Sequence, residues 1–171
     1  MTPAEFILAL VTLQRGAELL ISSRNTKRLM ARGASELAPR HYPLIVTVHA
    51  AWLLSLWIFG HDRRVNAVAL VIYLVLQGFR IWVMWTLGAR WTTRIIILPG
   101  VPLVRSGPYR LLPHPNYAVV AGEIALLPLV LGLPLLALIF TGFNAAILAI
   151  RIRAENQALA VSSAVTARAA G

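Results

Sequence analysis

YAVVAGEIALLPLVLGLPLLALIFTGFNAAILAI, residues 117–150, is an apolar run too long for one crossing of a bilayer. A helix needs about 20 residues to cross a hydrocarbon core of roughly 30 Å. Gly132 and Pro134 stand near the middle of the run, and a proline disrupts the interior of a helix. The stretch therefore predicts two helices, 117–131 and a second from 134, folded back as a hairpin. The second is expected to continue past the apolar band, to about 160, as an amphipathic extension.

Three more apolar stretches precede the hairpin, at 3–22, 43–60 and 66–87. Only 13% of the 171 residues are charged against 58% hydrophobic, whereas a soluble domain carries about 25% charged residues. The expected fold is an all-α integral membrane bundle of about five transmembrane helices, with residues 1–171 as a single domain. The first segment lacks the basic start and cleavage site of a signal peptide and is expected to be retained. Without cysteine there are no disulfides, thiolate metal sites or cysteine nucleophiles. The arginine and alanine bias suggests a GC-rich bacterial genome.

The net charge of +10 does not point to nucleic acid, because its distribution has another cause. With the N-terminus outside, twelve basic residues fall in inner segments: Arg24, Lys27, Arg28, Arg32, Arg40, Arg90, Arg94, Arg105, Arg110, Arg151, Arg153 and Arg168. The outer connections hold two, Arg63 and Arg64, while Arg15 and Arg80 lie within helices. Such asymmetry follows the positive-inside rule. It predicts a bacterial inner (cell) membrane protein with its polar segments in the cytoplasm.

Two polar islands flank the hairpin on that side. RSGPYRLLPHPNYAVVAGE (105–123) begins with a loop stiffened by Pro108, Pro113 and Pro115. Asn116 is expected to cap the following helix, whose N-terminus offers free N–H groups to an anion. RIRAENQAL (151–159) places Arg151 and Glu155 four apart on one helix face. Alone, the first island reads equally well as a re-entry loop with interfacial tyrosines, and the second reads better as a basic helix end with an internal ion pair.

Taken together, a GxYR-x3-HPxY segment, a hairpin and R-x-R-x-E-x3-L resemble the isoprenylcysteine carboxyl methyltransferase family. SSRNTKRLMARGASELAPRHYPLIVTVHAAWL and TLGARWTTRIIILPGVPLV look like its small bacterial branch, so the resemblance spans roughly 14–160. It implies an integral membrane enzyme that uses S-adenosyl-L-methionine. Some members of that branch O-methylate alkylpyrones and related products of type III polyketide synthases. Carried over by position, the implied cofactor contacts are Val101, Pro102, Leu103, Val104, Tyr109, His114, Pro115, Asn116, Tyr117 and Glu155. Arg151 corresponds to the family's substrate-facing arginine. Two positions depart from the pattern: Pro113 stands where the family usually has arginine, and Asn156 replaces the second residue of a Glu-Glu pair.

The implied reaction is O-methylation of a lipid-like acceptor, the hydroxyl of an alkylpyrone or alkylresorcinol. A prenylcysteine carboxylate is the alternative acceptor. The expected partners are the lipid bilayer, the lipophilic acceptor and a type III polyketide synthase pathway, with no nucleic acid. A reading from another class is a small transporter or membrane scaffold, with Glu18 or Glu123 carrying protons. Arg15 and Glu18, three apart, are expected to neutralise each other. Glu123 could face a substrate tunnel or be held structurally. His49 reads as a satisfied core histidine, and His41 and His61 as interfacial. No histidine pair has metal-ligand spacing, and the five tryptophans read as packing and belt residues.

Overall fold

The computed structural model describes residues 1–37 and 42–169, with side chains described through 153 and at Glu155. Arg40 and His41 lie outside the described residues, as do the side chains of Asn156, Arg168 and the Ala-rich tail. Five helices carry the fold: α1 Pro3–Met30, α2 Tyr42–Gly60, α3 Ala67–Leu87, α4 Pro115–Val130 and α5 Pro134–Ala169. Four of them are long and apolar enough to cross a membrane, and α4 is a shorter apolar helix. Large apolar side chains such as Leu13, Leu54, Val75 and Leu138 point outward, as a lipid-facing surface requires. The chain is an all-α integral membrane protein.

Local chemistry sets the helix ends. Thr2 and Glu5 form a reciprocal capping box at the start of α1, with Pro3 in the first turn. The Thr2 hydroxyl also donates to the His61 carbonyl at 2.7 Å, tying the start of α1 to the end of α2. Asn66 caps α3 by accepting from the Ala69 amide at 3.1 Å. The hairpin turns between α4 and α5, where Gly132 has φ +67°.

Helix α1 runs to Met30, beyond the expected end at 22. Its polar last turns are held by partners rather than by lipid. Ser22 and Asn25 are buried; Ser22 accepts from the Thr93 amide, and Asn25 donates to the Trp91 carbonyl, both at 2.8 Å. Lys27 and Arg28 sit in the final turn, where cations favour the helix dipole. Two short strands missed by the helical reading, β1 (Ser35–Leu37) and β2 (Ile95–Ile97), pair antiparallel with Glu36 opposite Ile96.

The helices share one apolar core that includes Leu8, Trp52, Leu56, Ile124, Leu127 and Phe140. Within this surround lies a closed ring of charge. Arg15 reaches Glu18 at 2.9 Å and Glu123 at 2.8 Å; Arg80 reaches the same two carboxylates at 2.5 Å each. Gln77 donates to Glu123 at 2.7 Å, and Gln14 to Glu18 at 2.9 Å. The expected Arg15–Glu18 pair is thus half of a tetrad joining α1, α3 and α4. Gly122 permits the close approach of α4 to α3, because a Cβ there would stand 2.7 Å from Leu76 Cδ2.

Removing one member leaves an uncompensated buried charge, a change that typically costs about 3–5 kcal/mol. Arg80→Gln is therefore expected to lower the thermal unfolding midpoint of the detergent-solubilised protein sharply. The double variant Arg80→Gln/Glu18→Gln, with its charges rebalanced, should recover part of the loss.

Candidate active site

Both polar islands lie at the end of the bundle where α4 begins and α5 leaves the apolar band. Gly107 starts the turn Gly107–Arg110 at φ +55°, and it packs against the end of α3. A Cβ there would lie 2.7 Å from Thr86 Oγ1, so only glycine seats the loop this closely. Helix α4 then starts at Pro115, with His114 as its N-cap residue. The expected cap by Asn116 does not form. Asn116 is already inside the helix, and its Oδ1 accepts from Trp91 Nε1 at 3.3 Å.

Tyr117 is the hub. Its phenol donates to Glu155 and accepts from Arg151 Nε at 2.9 Å. Arg151 and Glu155, expected to share one face of α5, are bridged by this hydroxyl. Arg151 is buried, lies 5.2 Å from the Tyr117 ring centroid, and donates through a second nitrogen to the Thr93 carbonyl at 2.5 Å. The His114 ring stacks on Tyr117 at 5.3 Å, with Nδ1 3.7 Å from the Glu155 carboxylate. Burial, and after it the Glu155 carboxylate, pushes the Tyr109 phenol up to about 12. Tyr109 therefore stays protonated, and a donor, at neutral pH.

The structure thus brings together Tyr109, His114, Tyr117, Arg151 and Glu155, with Pro115 buried in the first turn of α4. Val101, Pro102, Leu103 and Val104 form an irregular strip held by Arg90, which donates to the Pro102 carbonyl at 3.0 Å. Among the described residues no hydrogen bond joins that strip to Tyr117 or Glu155. Glu123 belongs to the tetrad: it is 1% exposed, and both its oxygens are engaged by Arg15, Arg80 and Gln77. Pro113 and Arg110 are both exposed on the loop.

Sequence reading missed Thr93, whose carbonyl holds Arg151 and whose hydroxyl meets Ser22 at 2.8 Å and Tyr42 at 3.2 Å. It also missed Arg80 as the partner of Glu18 and Glu123. A signal was present, since an arginine inside an apolar helix needs a carboxylate, and two were available. His49 behaves as expected, with Nδ1 2.8 Å from the Ile45 carbonyl in its own helix. No cluster with metal-ligand composition occurs among the described residues.

Fold and site together define a polytopic helical membrane protein with a carboxylate, a guanidinium and stacked rings gathered at one end of the bundle. Residues 67–161 match the isoprenylcysteine carboxyl methyltransferase (ICMT) family. The chain belongs to that family of membrane methyltransferases. It is 40% identical over 159 residues to the uncharacterized protein YpbQ of Bacillus subtilis, covering 90% of this chain and 94% of that one. An uncharacterized protein of Haemophilus influenzae is 29% identical over 154 residues, covering 82% and 86%. No solved structure matches the chain.

Tyr117→Phe keeps the buried ring and removes the hub hydroxyl. Losing hydrogen bonds to two charged partners is expected to destabilise this end of the bundle by about 1.5–3 kcal/mol. A lower thermal unfolding midpoint of the detergent-solubilised variant checks this.

Proposed function

We propose that the chain is an S-adenosylmethionine-dependent O-methyltransferase whose acceptor is a lipid-like molecule, the hydroxyl of a polyketide-derived alkylpyrone or alkylresorcinol. The observation that carries this reading is the Tyr117 bridge, which holds a carboxylate and a guanidinium on one phenol hydroxyl. The donor set suits the cofactor. The Glu155 carboxylate can bind an amino group or ribose hydroxyls, and the ring faces of His114 and Tyr117 can hold a purine. Both polar side chains of the His114–Glu155 pair are partly open, at 19% and 27% exposure, as a ligand-contacting pair must be.

When bound, S-adenosylmethionine supplies a methyl group on a sulfonium that leaves as a neutral thioether. The chain itself then has to align, hold charge and exclude water. Arg151, fixed by Thr93 and Tyr117, holds the acceptor oxyanion beside the methyl group. A new O–C bond forms as the S–C bond breaks, with the bonding pair retained by sulfur. An acidic pyrone hydroxyl or a carboxylate arrives ionised, so no general base is required. The apolar helices receive the acceptor's tail from the bilayer. Basic asymmetry supports a cytoplasmic position for the site, an outside N-terminus and residence in the bacterial inner membrane. A type III polyketide synthase pathway is the proposed source of the acceptor.

A prenylcysteine carboxylate is the second reading, favoured by the family's own description. Purified protein with labelled cofactor, offered both acceptors side by side, separates the two. We expect methylation of the long-chain hydroxypyrone; transfer to the prenylcysteine alone would overturn the ranking. His114→Ala and Glu155→Ala are expected to weaken cofactor binding by about tenfold or more. Arg151→Ala should instead act mainly on acceptor turnover. An absence of cofactor binding by folded wild-type protein would sink the enzymatic reading.

A further inference from the structure

A crevice of only about 10 Å³, closed down by the Arg94–Glu36 ion pair, lies beside Arg151 between the paired strands and the start of α2. Leu37, Ile45 and Ile95 form its apolar walls. Ile45 lies in the first turn of α2 beside Leu44 and Val46, which are 49% and 40% exposed. Its polar lining includes two guanidiniums, Arg94 and Arg151, and one carboxylate, Glu36.

Arg94 follows Thr93, the residue whose carbonyl anchors Arg151, so one short segment positions both cations. One nitrogen of Arg94 donates to both Glu36 oxygens, at 2.7 and 2.8 Å, and its guanidinium lies over the Tyr42 ring at 4.1 Å. Tyr42 is held in turn by Thr93 at 3.2 Å. The carboxylate comes from β1 and the arginine from the residue before β2, so this ion pair clasps the two strands across the cleft. Neither group is deeply buried: the side chains are 35% and 20% exposed for Arg94 and Glu36.

We infer that Arg94 and Arg151 together form the subsite for an anionic acceptor head, and that Glu36 occupies the Arg94 side of it as a built-in competitor when the acceptor is absent. This rests on the acceptor role given to Arg151 above. It adds a second specificity residue and makes the β1–β2 pair a strap that yields when an anionic amphiphile enters. The acceptor class it selects is an oxyanion on an apolar chain. Its neutral methyl ether no longer matches the guanidiniums, which favours release of the methylated product.

The test is equilibrium binding to the full detergent-solubilised chain, without cofactor. The probes are a hydroxypyrone bearing a long alkyl chain, its methyl ether, and N-acetyl-S-farnesylcysteine as a second anionic amphiphile. Glu36→Gln is expected to tighten binding of an anionic probe by about fivefold, since a partly exposed charge contributes modestly. Arg94→Gln is expected to weaken it by about tenfold, with Arg94→Lys in between. Binding of the methyl ether should change in neither case. A merely structural clasp predicts the opposite sign for Glu36→Gln, so weaker or unchanged binding there overturns the inference. Equal shifts for the ether and the anion do the same, as does failure of both anionic probes to bind wild-type protein. Cofactor binding, measured separately on each variant, reports whether the methyltransferase reading itself stands.

Discussion

Two arginines and two glutamates, closed into a ring among apolar helices, are the constraint on which the rest of this molecule depends. An isolated charge at bilayer depth is costly, and a carboxylate or guanidinium there needs a partner with its hydrogen bonds filled. Here each arginine meets both carboxylates, so the set is neutral and no single pair carries it. The ring also sets position. Glu123 locks α4 against α1 and α3, and Tyr117 lies six residues earlier on the same helix, roughly 9 Å away along its axis. The register that satisfies the ring is the register that presents the Tyr117 phenol to α5.

The polar end of the bundle is assembled from segments far apart in the chain. Arg151 is held by α4 through Tyr117 and by the connection after α3 through Thr93. Thr93 is reached in turn from α1 by Ser22 and from α2 by Tyr42. Helices α1, α2 and α4 and the connection after α3 therefore all help to orient one guanidinium on α5. Such convergence suits methyl transfer, where alignment of the reacting atoms matters more than acid–base chemistry.

Much of this was legible in the residues. Gly132 and Pro134 marked the hairpin, since apolar length and helix breakers are local signals. The two islands were legible as partners because each was too polar for its surroundings. The bridging role of Tyr117 was not, because helical spacing puts Arg151 and Glu155 on one face and says nothing of a third group entering between them. The ring was half legible: a three-residue spacing joins Arg15 to Glu18, whereas Arg80 and Glu123 meet only through tertiary packing. The β1–β2 pair escaped for the same reason. Three-residue strands separated by two helices leave no periodicity to detect. Asn116 misled, since its type suits a cap while the backbone had already entered the helix at Pro115.

The ring has a further consequence for biogenesis. Helix α1 can enter the bilayer with Arg15 and Glu18 already paired across one turn. Helix α3 arrives later with Arg80 and finds only Glu18, which Arg15 also occupies; the balancing Glu123 is synthesised last, on the short helix α4. Closing the ring therefore couples the packing of α1 and α3 to the arrival of α4. Arg80 and Arg15 are fully balanced only when α4 packs against α1 and α3, the same packing that brings Tyr117 to α5.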